Sequence, residues 1–171
     1  MSQDDLSGLG WTPHFAQQLD PTEPGRPARV SAVERSHVTA LRPDPLSLLV
    51  PLPGGTGAVA VGDRVLDDGA SVLRRLTPSS EIVRRNAGDT SRRQLIAANV
   101  DTLGIVTSCN ADFNPARLER YLAVASAAGC LPLVILTKAD QADDPGRYLS
   151  EAQSLSPLVI AIAINAKDPA D

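Results

Sequence analysis

Leu133-Val134-Ile135-Leu136 runs directly into Thr137-Lys138-Ala139-Asp140. Four consecutive aliphatic residues without polar alternation predict a strand buried on both faces, the pattern of a parallel sheet. The tetrapeptide at its tip has the form [Asn/Thr]-Lys-x-Asp, whose chemistry suits guanine. An ionised Asp140 carboxylate can accept two hydrogen bonds from the adjacent N1–H and N2–H groups of that base, and charge-assisted bidentate pairs are strong and directional. Adenine offers an acceptor at N1 and no amine at C2, so it would leave the carboxylate unpaired and be rejected. The aliphatic stem of Lys138 serves as an apolar cover on the base, with its ammonium at the wet edge.

Nucleotide phosphates are ordinarily held by Gly-x-x-x-x-Gly-Lys-[Ser/Thr], whose backbone N–H groups cradle them while the Lys reaches the outer ones. The two lysines of the chain are Lys138 and Lys167, and neither follows a glycine. The cluster Gly54-Gly55-Thr56-Gly57 lies between short β-like runs and reads as a hairpin loop. Either the tetrapeptide is a chance match or the phosphate loop lies beyond residue 171.

The surroundings of the tetrapeptide read as βαβαβ, half of a doubly wound sheet. Leu103 to Thr107 is a first apolar strand. Asn114-Pro115 opens a helix with an N-cap and a first-turn proline, Leu118, Tyr121, Leu122 and Ala125 form its inner face, and Gly129 closes it. Leu131 to Leu136 is the second strand, Asp144-Pro145 opens a helix through Tyr148, Leu149 and Leu155, and Pro157 to Ile164 is a third strand. Ligands of such sheets bind at the carboxyl ends of the strands, where Thr137 to Asp140 lies. Three strands alone leave an edge and apolar faces uncovered, so a sticky α/β lobe is expected.

Residues 28 to about 88 have a β texture. Strands are expected at Ala28–Arg35, His37–Leu41, Leu46–Leu52, Ala58–Val61, Arg64–Leu66, Ser71–Leu76 and Glu81–Arg84, with a turn at Gly62-Asp63. Short strands with turn signals about every eight to twelve residues suggest a small barrel, OB-type first and SH3-like second. Before them, Trp11, Phe15 and Leu19 are spaced four apart on one face of a helix opened by Thr12-Pro13 and stopped by Pro21. That stripe packs on the neighbouring domain or binds a partner. Residues 89–102 read as a bridge. The expected organisation is a helix and linker over 1–27, the barrel over 28–88, and the opening part of an α/β domain over 89–171.

With 43% hydrophobic and 21% charged residues, the composition is that of an ordinary soluble globular protein. No apolar run approaches the roughly 18–20 residues that span a bilayer, and the acidic start Met1-Ser2-Gln3-Asp4-Asp5 is no secretory signal. Cys109 and Cys130 lack metal-ligand spacing and read as core residues in a reducing compartment, which makes the cytoplasm the expected location. The net charge of −4 conceals an asymmetry: residues 26–100 carry eleven arginines against seven acids, between two acidic flanks. Arg74, Arg75, Arg84, Arg85, Arg92 and Arg93 are candidate RNA contacts, against the alternatives of ordinary solvated side chains and coding bias.

In GTP-binding domains the strand after the Lys-x-Asp strand ends in a [Ser/Thr]-Ala turn whose backbone touches guanine; here it ends in Asn165-Ala166-Lys167. A barrel leads and the guanine motif opens the α/β domain, an order that resembles the circularly permuted GTPases. Within them, Gln94-Leu95-Ile96-Ala97-Ala98-Asn99-Val100-Asp101, Val61-Gly62-Asp63-Arg64-Val65 and Asp112-Phe113-Asn114 before Leu118-Glu119-Arg120-Tyr121-Leu122 resemble the ribosome small-subunit-dependent GTPase A family, over residues 28 to 167. The fold class that follows is mixed: a small OB-type β-barrel, then a partial three-layer α/β domain of the circularly permuted P-loop GTPase type.

The resemblance implies a hydrolase acting on GTP in late maturation of the small (30S) ribosomal subunit, contacting 16S rRNA partly through the barrel. It implies guanine binding by Thr137, Lys138, Ala139 and Asp140 with Ala166, GTP and Mg²⁺ as ligands of the full-length protein, and Zn²⁺ in a C-terminal domain outside these residues. No catalytic residue and no metal ligand falls within the chain, and a monomer without membrane attachment is expected. Thr137 stands where Asn is more usual, which weakens the support around Lys138. The competing reading is a non-enzymatic RNA-binding barrel with an accessory α/β lobe.

Overall fold

The computed structural model describes residues 4–42, 47–85 and 93–171, without the side chains of Asp4, Asp5, Ser47, Arg85 and Arg93. The chain divides into two compact units, Met1–Val100 and Asp101–Asp171. Among the described residues no helix is long and apolar enough to cross a membrane.

The first unit opens with two single-turn helices, α1 (Asp4–Ser7) and α2 (Pro13–Ala16). A five-stranded antiparallel sheet follows, made of β1 (Arg26–Val33), β2 (Val38–Leu41), β3 (Ser47–Leu49), β4 (Arg64–Asp67) and β5 (Val72–Arg75) in the order β3-β2-β1-β4-β5. The sheet curls until its outer strands approach: Val50 and Ser71 form a parallel bridge, with Val50 N–H donating to Ala70 O (2.8 Å) and Val72 N–H to Val50 O (2.9 Å). Alternation along the strands sends Ala28, Val30, Val38, Ala40, Leu49, Val65 and Val72 into one core with Val59.

Three expectations change in this unit. The helix after Thr12 is one turn long, yet Trp11, Phe15 and Leu19 still pack together on Leu66 and Leu76. Ala58–Val61 is not a strand: a 3-10 turn covers Thr56–Ala58, and the carboxylate of Asp63 accepts the Ala60 N–H (2.7 Å), folding the segment into a turn. Residues 93–98, read as a bridge, form β7 (Arg93–Ala98), antiparallel to β6 (Glu81–Arg85) with a bulge between Ile82 and Val83. Residues 89–92 of that bridge, and Leu46 of the expected third strand, lie outside the described residues.

Charge is buried where the sheet turns. Asp63 and Asp67 are wholly buried, and Arg64 nearly so. Arg42 pairs with Asp67. Arg64 donates to Leu9 O (2.8 Å) and Gly10 O (2.7 Å) and lies over the Phe15 ring, holding the N-terminal segment to the sheet. Asp63 Oδ2 also accepts from Arg75 Nε (2.8 Å).

In the second unit, β8 (Thr102–Ser108), β9 (Leu131–Thr137) and β10 (Ile160–Ala163) form a parallel sheet in the order β10-β9-β8, connected through α3 (Pro115–Ala128) and α4 (Pro145–Ser154). The predicted punctuation is present. Asn114 and Asp144 accept the N–H groups of Arg117 and Arg147, and Gly129 takes the left-handed conformation that ends α3. Ile105, Val134 and Ala161 share one row on the face that α3 and α4 cover with Leu118, Leu122, Ala125 and Ala152. On the opposite face Val106, Ile160 and Ile162 are 66%, 59% and 41% exposed.

Removing one partner of a buried ion pair strands the other, so Asp63→Ala is expected to lower unfolding free energy by about 3 kcal/mol, the low end of the range because Arg75 keeps Glu81. Urea denaturation of both proteins checks this; a loss under about 1 kcal/mol would show that neither the Arg75 pair nor the Ala60 N–H bond adds much stability.

Candidate functional site

All three strands of the second unit point the same way, so the segments that leave β9 and β10 emerge together. Ile164 N–H donates to Leu136 O (2.8 Å) and Ala139 N–H to Ile164 O (3.1 Å), which stitches the loop after β9 to the end of β10. Between these bonds the backbone reverses at Lys138, a non-glycine residue with φ 59° and ψ 33°. Left-handed backbone costs an ordinary residue about 1–2 kcal/mol and persists where surrounding bonds enforce it. A 3-10 turn over Ala139–Gln141 follows, with Gln141 N–H donating to Lys138 O (3.1 Å).

This geometry separates the roles of the four residues. Ala139 turns inward and packs with the core of the unit, while Lys138 and Asp140 are exposed. Asp140 has no hydrogen-bond or ion-pair partner among the described residues, leaving both carboxylate oxygens for a ligand. Thr137 is half-buried, and its hydroxyl donates to Thr107 O on β8 (2.9 Å). It therefore acts on the loop through the neighbouring strand.

Asn165 shapes the second loop. Its side chain accepts the N–H of Lys167 (3.1 Å), and Asp168 N–H donates to its carbonyl (2.9 Å). An Asn amide thus makes the tight turn that a Ser hydroxyl makes more weakly. Ala166 sits exposed at its apex. Thr107 and Asn165 were not legible as site residues: a backbone carbonyl has no sequence signature, and Asn165 looked only like a departure from Ser.

A cleft of about 320 Å³ lies nearby, lined by Cys109, Asn110, Gln141, Asp144, Arg147 and Tyr148. Of its two acids, Asp144 is spent on capping α4, while Asp143 is exposed with no partner among the described residues. Burial pushes the Cys109 thiol above its usual range, which disfavours the reactive thiolate.

The candidate RNA contacts fall into two groups. Arg74 donates from Nε and Nη2 to Glu23 (2.6 Å each), whose carboxyl is drawn below its usual range by that bond, and Arg75 joins Asp63 to Glu81 (2.8 Å each). Arg84 is exposed on β6 with no partner among the described residues. Arg92, and the side chains of Arg85 and Arg93, lie outside the described residues.

The class of protein follows from these two units: a curled antiparallel sheet joined to a parallel α/β sheet that carries a polar loop at its carboxyl edge. The crystal structure of YjeQ from Thermotoga maritima has a similar fold, with a TM-score of 0.62 at 18% identity over 83% of this chain and 52% of that one. The sequence model of the RsgA GTPase family matches residues 76–170. The small ribosomal subunit biogenesis GTPase RsgA of Mesorhizobium japonicum is 44% identical over 98% of this chain and 49% of its own length. A protein of the same description from Vibrio vulnificus, RsgA 2, is 40% identical over 96% of this chain and 48% of its own. The chain belongs to the RsgA GTPase family, and it spans about half the length of these relatives.

Thr137→Val, which keeps the shape and deletes the hydroxyl, is expected to cost about 1 kcal/mol, and Thr137→Ser to restore most of it. Thermal unfolding of the two variants checks this; equal stability of Val and Thr would show the bond contributes nothing.

Proposed function

We propose that this chain is the base-reading portion of a circularly permuted GTPase that acts in late maturation of the small (30S) ribosomal subunit. The observation that carries the reading is Asp140, an exposed carboxylate without a protein partner on a loop pinned at Ala139. Asp140 accepts N1–H and N2–H of guanine, the Lys138 stem covers the base, Ala139 anchors the loop, Thr137 braces it from β8, and the Ala166 N–H meets the remaining base edge.

The tetrapeptide is not preceded by a Gly-x-x-x-x-Gly-Lys-[Ser/Thr] stretch, which supports the permuted order. Phosphate cradling and Mg²⁺ positioning, on which phosphoryl transfer depends, belong to the full-length protein, as does a zinc-binding C-terminal domain. The strand order β3-β2-β1-β4-β5, with the parallel Val50–Ser71 bridge beside β3 and β5, supports an OB-type barrel over 28–88, after a helix and linker over 1–27 and before the GTPase domain over 89–171. The barrel side contacts 16S rRNA. Of the candidate arginines with described side chains, Arg84 has no protein partner among the described residues, with Arg85, Arg92 and Arg93 beside it in sequence, whereas Arg74 and Arg75 spend their charge on acids. The protein works as a cytoplasmic monomer.

Titration of guanosine diphosphate into the chain is expected to shift the amide resonances of Lys138–Gln141 and Ala166, with adenosine diphosphate leaving them in place. Asp140→Ala should weaken the response at least tenfold, the loss of a charged hydrogen-bonded pair. Asp140→Asn should move preference to xanthine, whose C2 carbonyl accepts where guanine donates. Equal responses to the two diphosphates would overturn the base assignment. No GTP hydrolysis is expected from residues 1–171, and turnover by the purified chain would refute that.

A further inference from the structure

Val65 faces the core of the curled sheet, so Leu66 and its cross-strand partner Arg74 face away from it. The N-terminal segment lies on that outer face. Its anchors come early: Trp11, Phe15 and Leu19 pack on Leu66 and Leu76, and the Gln18 amide binds the main chain of Thr77 twice. Gln18 Oε1 accepts the Thr77 N–H (2.7 Å), and Nε2 donates to the Thr77 carbonyl (3.0 Å). The Asp20 carboxylate then turns the chain by accepting the N–H (2.8 Å) and the hydroxyl (2.7 Å) of Thr22. That turn delivers Glu23 to Arg74, whose Nε and Nη2 donate to its two carboxylate oxygens at 2.6 Å each. A parallel fork of this kind is how a guanidinium also takes a phosphate. Among the described residues, the Glu23–Arg74 pair is the one polar contact of residues 20–24 with the sheet. Arg74 Nη2 also donates to Gln18 O (2.9 Å), a bond from the anchored part of the segment that holds the guanidinium independently of Glu23.

Resting on the RNA reading above, we infer that Glu23 is an internal stand-in for an RNA phosphate, occupying the Arg74 fork until the phosphate backbone displaces it. Arg74 is then a gated contact. The other paired arginines are unsuited to such an exchange: Arg42 and Arg75 answer Asp67 and Asp63, and drawing either away leaves a wholly buried carboxylate uncompensated. The side chains of Arg74 and Glu23 are 37% and 26% exposed, so their pair contributes little and Glu23 moves into water when it leaves. An RNA phosphate sheds condensed counterions as it pairs, a gain that the carboxylate lacks. Nothing else has to unfold. Residues 20–24 can swing outward while Phe15 and Gln18 hold one end and β1 begins at Arg26 on the other.

A double-mutant cycle separates the gate from simple charge repulsion. Binding of 16S ribosomal RNA to the chain is followed by fluorescence anisotropy between about 50 and 200 mM KCl. Glu23→Gln should raise affinity about twofold to fivefold, the worth of a partly exposed pair. Arg74→Ala should lower affinity and reduce the slope of log K against log salt by about one. Glu23→Gln placed on Arg74→Ala should change nothing further, because Glu23 acts only through Arg74. The single tryptophan, Trp11, lies in the anchoring stripe, and its unchanged emission in all three variants shows that the segment stays docked. Wild-type affinity in Glu23→Gln would overturn the gate. So would the same gain in the Arg74→Ala background, which would mean that Glu23 only repels RNA. An unchanged slope in Arg74→Ala would remove Arg74 from the contact. If neither the wild-type chain nor Glu23→Gln binds the RNA, the RNA reading itself falls and the gate with it, whereas RNA binding without the cycle's coupling overturns the gate alone.

Discussion

Parallel strand direction is the constraint on which the second unit depends. β9 is hydrogen-bonded on both sides, so its end is placed by β8 through Thr137 and by β10 through Leu136 and Ile164. Two loops far apart in sequence, Thr137–Asp140 and Asn165–Lys167, are brought together by backbone bonds through Ile164. The left-handed Lys138 is affordable under those bonds because the strands on either side fix where the chain must leave and re-enter. The outcome is an exposed carboxylate with no ion-pair partner among the described residues.

The first unit solves a different problem. Short strands bury too little apolar surface to fix their own turns, and the chain places ionised groups at those turns instead. Asp63 is wholly buried yet answered by the Ala60 N–H and Arg75, while Asp67 is answered by Arg42 and the Gly69 N–H (2.8 Å). Buried pairs of this kind add little net stability over apolar residues, but they penalise any arrangement that parts them. The segment 60–63 shows the effect. Valine and alanine there have strand character, and the Asp63 carboxylate nonetheless makes the segment a turn. That turn supplies the Gly62 and Val61 backbone to which the β6–β7 hairpin is bonded.

Local punctuation explains what was legible in the sequence. Asn114-Pro115, Gly129 and Asp144-Pro145 each meet the backbone requirement of one helix end, so the boundaries of α3 and α4 follow from single residues. The three apolar runs of the second unit were legible for the same reason, and so was the tetrapeptide at the tip of β9. β7 was hidden because Arg93-Gln94-Leu95-Ile96-Ala97-Ala98 lacks alternation, and it becomes a strand only through its partner β6. The N-terminal stripe was right in its contacts and wrong in its helix: Trp11, Phe15 and Leu19 are held by Leu66, Leu76 and Arg64, and packing of that kind requires one turn of helix rather than two. The bond from the Thr137 hydroxyl to a carbonyl on another strand leaves no trace in the motif.

The exposed face of the parallel sheet carries the final step. Val106, Ile135 and Ile162 form a row as apolar as the buried row of Ile105, Val134 and Ala161, and burial alone tells the two apart. A run such as Leu133–Leu136 predicts covering on both faces, and in this unit α3 and α4 cover one. The bonds that fix the reading loop all run within the sheet, from Thr137 to Thr107 and from Ala139 to Ile164. The first of them runs through the Thr137 hydroxyl, a side chain on the same face of β9 as Ile135. The position of Asp140 is therefore a property of three strands and their direction.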